Sequence, residues 1–233
     1  MRNESEFSVG YLPMPTGLKR TTRRVVIALS VLLSLVAGIL IIGQNPFAAS
    51  TFEFQQYRDF RGALLTEPYP ALAIRGQEPP WLLVGPGKHG VGDLRQWNGR
   101  DVALKGERIF RSSGRAEDHM IELVPSSLTA GGEGVPVQGH EDLGEVQLTG
   151  EIVDSKCYFG VMNPGAGKVH RDCAVRCISG GIPPAFLVRD SSGNIVTLLL
   201  ANWKRELLEH IAEPVTIRGR LSRSAGRFTF YQE

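Results

Sequence analysis

All three cysteines of this 233-residue chain lie in one stretch, Asp154 to Gly181, together with a histidine. Three thiolates and an imidazole at tetrahedral distance suit zinc, iron or copper by donor softness. The order of residues around them has physical content. Pro164-Gly165 and Gly167 break regular structure before Lys168, and Gly180-Gly181 ends a helix. Between these breaks His170, Cys173 and Cys177 fall at i, i+3 and i+7, which predicts one shared helical face. Cys157 follows an alternating strand and completes the set from the side. Cys157, His170, Cys173 and Cys177 are therefore the candidate metal ligands. Asp154, three residues before Cys157, reads first as a turn residue and second as an acceptor that orients a ligand.

Two other readings of the cysteines stand beside the metal centre. An extracytoplasmic compartment favours disulfides. Cys173 and Cys177, one helical turn apart, are poorly placed to bond each other, because disulfide geometry is strict. Cys157 bridges to either, leaving one free thiol and a thiol-exchange pair. Plain packing is the third reading. Three functions correspond: an accessory module holding a metal or redox cofactor, a thiol-disulfide exchanger using Cys173 and Cys177, and a scaffold with a stapled loop. The spacing excludes a c-type haem motif and Rieske ligation. No Gly-x-Ser-x-Gly, His-Glu-x-x-His or paired carboxylates are present, so no enzyme class is assigned. Gly85-Pro-Gly-Lys-His-Gly90 lacks the ending of a phosphate-binding loop and reads as a β-turn.

The elements that must position these residues repeat. Val102-Ala-Leu-Lys-Gly106 matches Val215-Thr-Ile-Arg-Gly219, each followed by a second strand, a Ser/Gly turn and a third. Upstream, Pro79-Pro80-Trp-Leu-Leu-Val84 matches Pro183-Pro184-Ala-Phe-Leu-Val188, and Gly62 matches Gly150. Four matches in one order indicate a duplication. Gly62 to Pro79 spans 17 residues and Gly150 to Pro183 spans 33, so the second copy carries an insertion that holds every cysteine. Asn202 to Ile211 predicts a helix with Trp203, Leu207, Leu208 and Ile211 on one face, and Gly92 to Trp97 a shorter equivalent. Five strands with a helix between the third and fourth resemble the OB-fold. The expected fold is thus mainly β: two tandem small OB-like β-barrels, residues 52–128 and 144–233, the second with a helical Cys/His insertion over 154–181. Ala130 to Leu143 reads as a Gly-rich connector.

Val25 to Gly43 is uncharged and apolar, and its nineteen residues cover roughly 28 Å, close to a bilayer's hydrocarbon thickness. It predicts a single-pass membrane anchor. Lys19, Arg20, Arg23 and Arg24 precede it, which places residues 1–24 as a cytoplasmic tail and the C-terminal domains in the periplasm or outside the cell. Gln44 to Ser50 reads as a linker. The net charge of +2 gives no reason to expect nucleic acid as a partner. The expected partners are the bilayer, through residues 25–43, and a membrane-bound redox protein.

The Cys-bearing stretch resembles an uncharacterised family of bacterial, membrane-anchored extracytoplasmic proteins. Its motif is Gly-x-Val-x-Asp-x-x-Cys, a Gly-rich loop, Lys-x-His-x-x-Cys-Ala-x-x-Cys, Gly-Gly and Pro. The matching residues are Gly150, Asp154, Cys157, Lys168, His170, Cys173, Ala174, Cys177, Gly180, Gly181 and Pro183, with Val153 one place from the family's valine. The resemblance covers about 35 residues. It implies a bacterial, membrane-anchored protein and brings no established activity.

Overall fold

A computed structural model describes residues 10, 13–43, 50–112, 117–131 and 139–233. Most of the expected linker 44–50, the middle of the connector 130–143, the first copy's Ser/Gly turn and the start of the N-terminal tail lie outside these residues.

Helix α1, Thr16–Gly43, has no buried residue and is long and apolar enough to cross a membrane. It begins nine residues before the predicted span. Lys and Arg are good helix formers, so nothing stops the helix until Pro15, whose carbonyl accepts from the Lys19 N–H at 2.8 Å. Residues 16–24 of the expected cytoplasmic tail are therefore helical.

From Ala48 onward the chain forms one compact unit of two closed five-stranded barrels. The first comprises β1 (Ser50–Leu65), β2 (Ala71–Ala73), β3 (Trp81–Val84), β4 (Asp101–Ser112) and β5 (Glu117–Leu123). Its strands run β1-β2-β3-β5-β4 and close by β1–β4 pairing, with β3 and β5 parallel. A two-residue strand, β6 (Thr129–Ala130), adds to β4. The second barrel, β7 (His140–Asp154), β8 (Pro184–Arg189), β9 (Ile195–Ala201), β10 (Pro214–Ser224) and β11 (Arg227–Gln232), repeats that order, with β9 and β11 parallel. This is the OB-like arrangement expected, in two copies.

The matching glycines explain the repeated register. Gly62 pairs with Val102 and Gly150 with Val215, the same positions in the two copies. A Cβ on Gly62 would lie 2.2 Å from the Ala73 carbonyl oxygen, and one on Gly150 would lie 2.4 Å from that of Leu187. Strand one of each barrel therefore bends hard against strand two, where no side chain fits.

Between strands three and four each barrel has a 3-10 turn, Arg95–Trp97 and Arg205–His210. The α-helix expected over Asn202–Ile211 is thus replaced by a shorter 3-10 segment. So short a stretch gains little from helical cooperativity, and it is placed by Leu207, Leu208 and buried Ile211 on the barrel interior.

Three cores result. Leu64, Leu72, Leu83, Val102 and Ile121 fill the first barrel, and Ile152, Phe186, Leu198, Leu200 and Phe230 fill the second. The third core is a seam between the barrels, where Leu82, Val84, Ile109 and Met120 meet Val153, Phe159, Ile182 and Leu187. Trp81-Leu-Leu-Val84 is buried throughout because one face of β3 fills its barrel while the other faces the seam. Polar contacts cross the seam as well: Tyr69 donates to the Leu200 carbonyl at 2.6 Å and Arg227 to the Pro80 carbonyl at 2.9 Å. Of the other arginines of the last strands, Arg220 pairs with Asp142 and Arg223 with Glu141, while Arg218 donates to the Gln147 side-chain oxygen.

Candidate metal centre

The insertion leaves the second barrel at the end of β7 and returns at β8. Asp154 closes β7 and its carboxylate is fully buried. One oxygen accepts from the Cys157 N–H at 2.8 Å, and the other meets His170 Nε2 at 2.9 Å. Asp154 is thus both a turn residue and a histidine partner. Beyond it, Cys157–Val161 forms a wide π-type turn and Lys168–His170 a 3-10 turn, which leads into helix α2, Arg171–Ser179. Ala174 and Ile178 of α2 pack on the second barrel's core, while Cys177 points into the seam.

The three sulfurs converge. Cys157 Sγ is 3.9 Å from Cys173 Sγ, and the three Sγ atoms all lie within 4.8 Å of one another. All three thiols are free; Cys157 and Cys177 are buried and Cys173 is half-buried. Around one ion at a metal–sulfur distance of about 2.3 Å, tetrahedral thiolates are separated by about 3.8 Å. A disulfide would require the sulfurs to close to about 2.05 Å. The spacing therefore matches a metal tripod as it stands.

His170 does not share a helical face with Cys173 and Cys177. The 3-10 turn ends at His170, which precedes α2 as its N-terminal flanking residue. Its ring instead falls in a second buried group, with Asp154 and Cys157, whose ligand atoms also lie within 4.8 Å of one another. The four expected residues therefore form two triads that share Cys157. A carboxylate holding one imidazole nitrogen is the usual support of a metal-binding histidine.

Two functional residues escape a reading of the sequence. Lys88, from the Gly85–Gly90 turn of the first barrel, places Nζ 2.7 Å from Cys173 Sγ and 4.0 Å from Cys177 Sγ. Lys156, whose side chain is 2% exposed, fixes that turn: its Nζ donates to the carbonyls of Gly85 at 2.8 Å and Gly87 at 2.6 Å, and pairs with Glu122 at 2.5 Å. Gly180 and Gly181 press against the same turn. The Gly90 N–H donates to the Gly180 carbonyl at 2.9 Å, and a Cβ on Gly180 would lie 1.9 Å from the Lys88 carbonyl oxygen. The signal was present as two Gly-rich segments, but only tertiary packing shows that they touch.

Charge follows this geometry. A hydrogen bond from Cys157 pulls the Cys177 thiol down to about 7, helped by the Lys88 charge and opposed by burial. Cys157, the donor in that bond, is pushed far up, and burial and the Asp154 charge add to the effect. The hydrogen bond to Cys173 raises Lys88 above the ordinary lysine value. The cluster can thus hold a thiolate at neutral pH beside the Lys88 ammonium. Protein-family models, curated proteins and solved structures give no match to this chain.

Proposed function

We propose that this protein is a membrane-anchored, extracytoplasmic accessory protein that binds a soft metal ion at Cys157, Cys173 and Cys177. The observation that carries this reading is the convergence of three free thiols at metal-tripod spacing in a mostly buried seam. Zinc, iron and copper are the ions whose chemistry suits such donors. His170, steered by Asp154, is the nearest imidazole for a fourth position. Helix α1 anchors the chain, and the basic residues Lys19, Arg20, Arg23 and Arg24 hold its N-terminus in the cytoplasm. The barrels then work outside the cytoplasm beside a membrane-associated redox or assembly system. The bacterial family resemblance of the Cys-bearing motif agrees with that setting.

Elemental analysis of the full chain, purified reduced in detergent after export, tests the proposal. The expected result is about one metal ion per chain, as a tripod with one shared centre requires. Changing Cys157, Cys173 or Cys177 to Ser abolishes binding, whereas His170→Ala weakens it about 10–100-fold, as loss of a supporting group does. A native chain without metal, and with three titratable thiols, would refute the proposal.

The second reading is thiol-disulfide exchange. It is favoured by the low Cys177 thiol and by the 3.9 Å approach of Cys157 Sγ to Cys173 Sγ. Turnover of a disulfide substrate by metal-free protein would support it.

A further inference from the structure

Cys173 is the half-buried member of the trio, and the side chain that reaches it from solvent is exposed Lys88. Their N···S separation of 2.7 Å equals a short N–H···O bond, although sulfur is the larger atom. One bridging oxygen spans such a gap without movement of either side chain. The approach is also enforced. Lys156 grips the turn just before Lys88 through the carbonyls of Gly85 and Gly87, and on the other side the Gly90–Gly180 hydrogen bond ties that turn to the end of the cysteine-bearing helix. The amine therefore returns to the same sulfur after each excursion, which raises its effective concentration there.

We infer that Lys88 and Cys173 are a modification site: under oxidising conditions they join through a reducible N–O–S bridge. The oxidant is dioxygen. The Lys88 ammonium first loses a proton to solvent. The amine nitrogen and the thiol sulfur then give up two electrons each, and their N–H and S–H bonds break. One oxygen atom forms the new N–O and O–S bonds, and the other leaves as water carrying the two hydrogens. Four thiol equivalents reverse the reaction, returning the amine, the thiol and one water. A disulfide between Cys157 and Cys173 is the competing product. It requires two sulfurs 3.9 Å apart, one of them deeply buried, to close by almost half that distance.

The consequence for the cluster is specific. The bridge removes Cys173 from the sulfur tripod and locks the first barrel's turn onto α2. Oxidation thus disables the metal site and reduction restores it. The cross-link needs only Lys88 and Cys173, whereas its role as a switch rests on the metal reading above.

The test uses the full chain in detergent, reduced, stripped of metal by a chelator and then held in air-saturated buffer. Intact-mass measurement is expected to show a species one oxygen heavier and two hydrogens lighter. Proteolysis should yield the Lys88 and Cys173 peptides joined, and dithiothreitol should separate them. Lys88→Arg, which keeps the charge, and Cys173→Ser should both lack the product, and metal loaded beforehand should suppress it. A product that has only lost two hydrogens, an unchanged mass, or the same oxygen-bearing product in Lys88→Arg overturns the inference. Metal content of the reduced chain is measured in parallel. A chain that cross-links but takes no metal sinks the metal reading alone; one that takes metal but never cross-links sinks the bridge alone.

Discussion

Replacing Gly180 by alanine tests whether the seam, and not either barrel alone, holds the cluster together. Gly180 has φ −83° and ψ −1°, a conformation alanine adopts freely. In open space the change would stabilise the protein by about 0.4–1 kcal/mol through the unfolded chain. The space is not open. The new methyl would sit 1.9 Å from the Lys88 carbonyl oxygen, a backbone atom with no rotamer to escape into. Overpacking of this kind costs about 1–3 kcal/mol, and a backbone clash belongs at the upper end. The net expectation is a loss of about 2 kcal/mol, or about 4–8 °C in melting temperature for a domain of this size. Thermal unfolding of the reduced, metal-free chain, followed by circular dichroism in detergent, measures it. The displaced turn also carries Lys88 from Cys173, so the oxidative cross-link should fall in yield. A Gly180→Ala protein that melts at or above the native temperature would refute the argument.

Lys156→Met leaves Glu122 and two carbonyls in the seam without their cation, and should cost about 3–5 kcal/mol in the same melting assay. Asp154→Asn removes the carboxylate that steers His170, and should weaken metal binding about 10–100-fold in competition with a chromophoric chelator while all three thiols remain. The pH dependence has a definite sign. The Cys177 thiol lies at about 7 in the folded protein, below the ordinary cysteine value, so between the two the unfolded chain binds more protons. Stability of the reduced, metal-free protein should therefore rise from pH 7 to 9 and be lost as pH falls through 7. Cys177→Ser should flatten that slope; an unchanged slope would place the titrating group elsewhere.

Much of the fold was legible because backbone crowding leaves a mark in sequence. Gly62, Gly106, Gly150 and Gly219 stand where strands approach too closely for a Cβ, so they recur in step and expose the duplication. The runs ending at Val84 and Val188, matched in sequence, are not equivalent positions: one is the third strand of its barrel and the other the second. They look alike because each faces a barrel core on one side and the seam on the other. The grouping of the cysteines was equally plain. What failed was local geometry and distant contact. A 3.6-residue period fits Asn202–Ile211 and His170–Cys177, but apolar burial holds the first as a 3-10 turn, and the 3-10 turn at Lys168–His170 rotates the imidazole off the cysteine face. Lys88 meets a sulfur 85 positions away, and only the packing of one barrel on the other brings them together. Lys156 looked like an ordinary charged residue between Asp154 and Cys157, because nothing local announces carbonyls donated from another domain.

Both barrels close through pairing of their first and fourth strands, so neither depends on what joins the first strand to the second. In the first barrel that joint is the short turn from Thr66 to Pro70; in the second it runs from Ser155 to Pro183 and contains all three cysteines and His170. The joint is thus a graft point, where chemistry is added while the strand order of the barrel stays the same. The unadorned copy is no spare part, since it lends a cation that touches the grafted sulfurs. Transplanting residues 155–183 onto an unrelated barrel would accordingly carry the thiols across and leave their counter-charge behind.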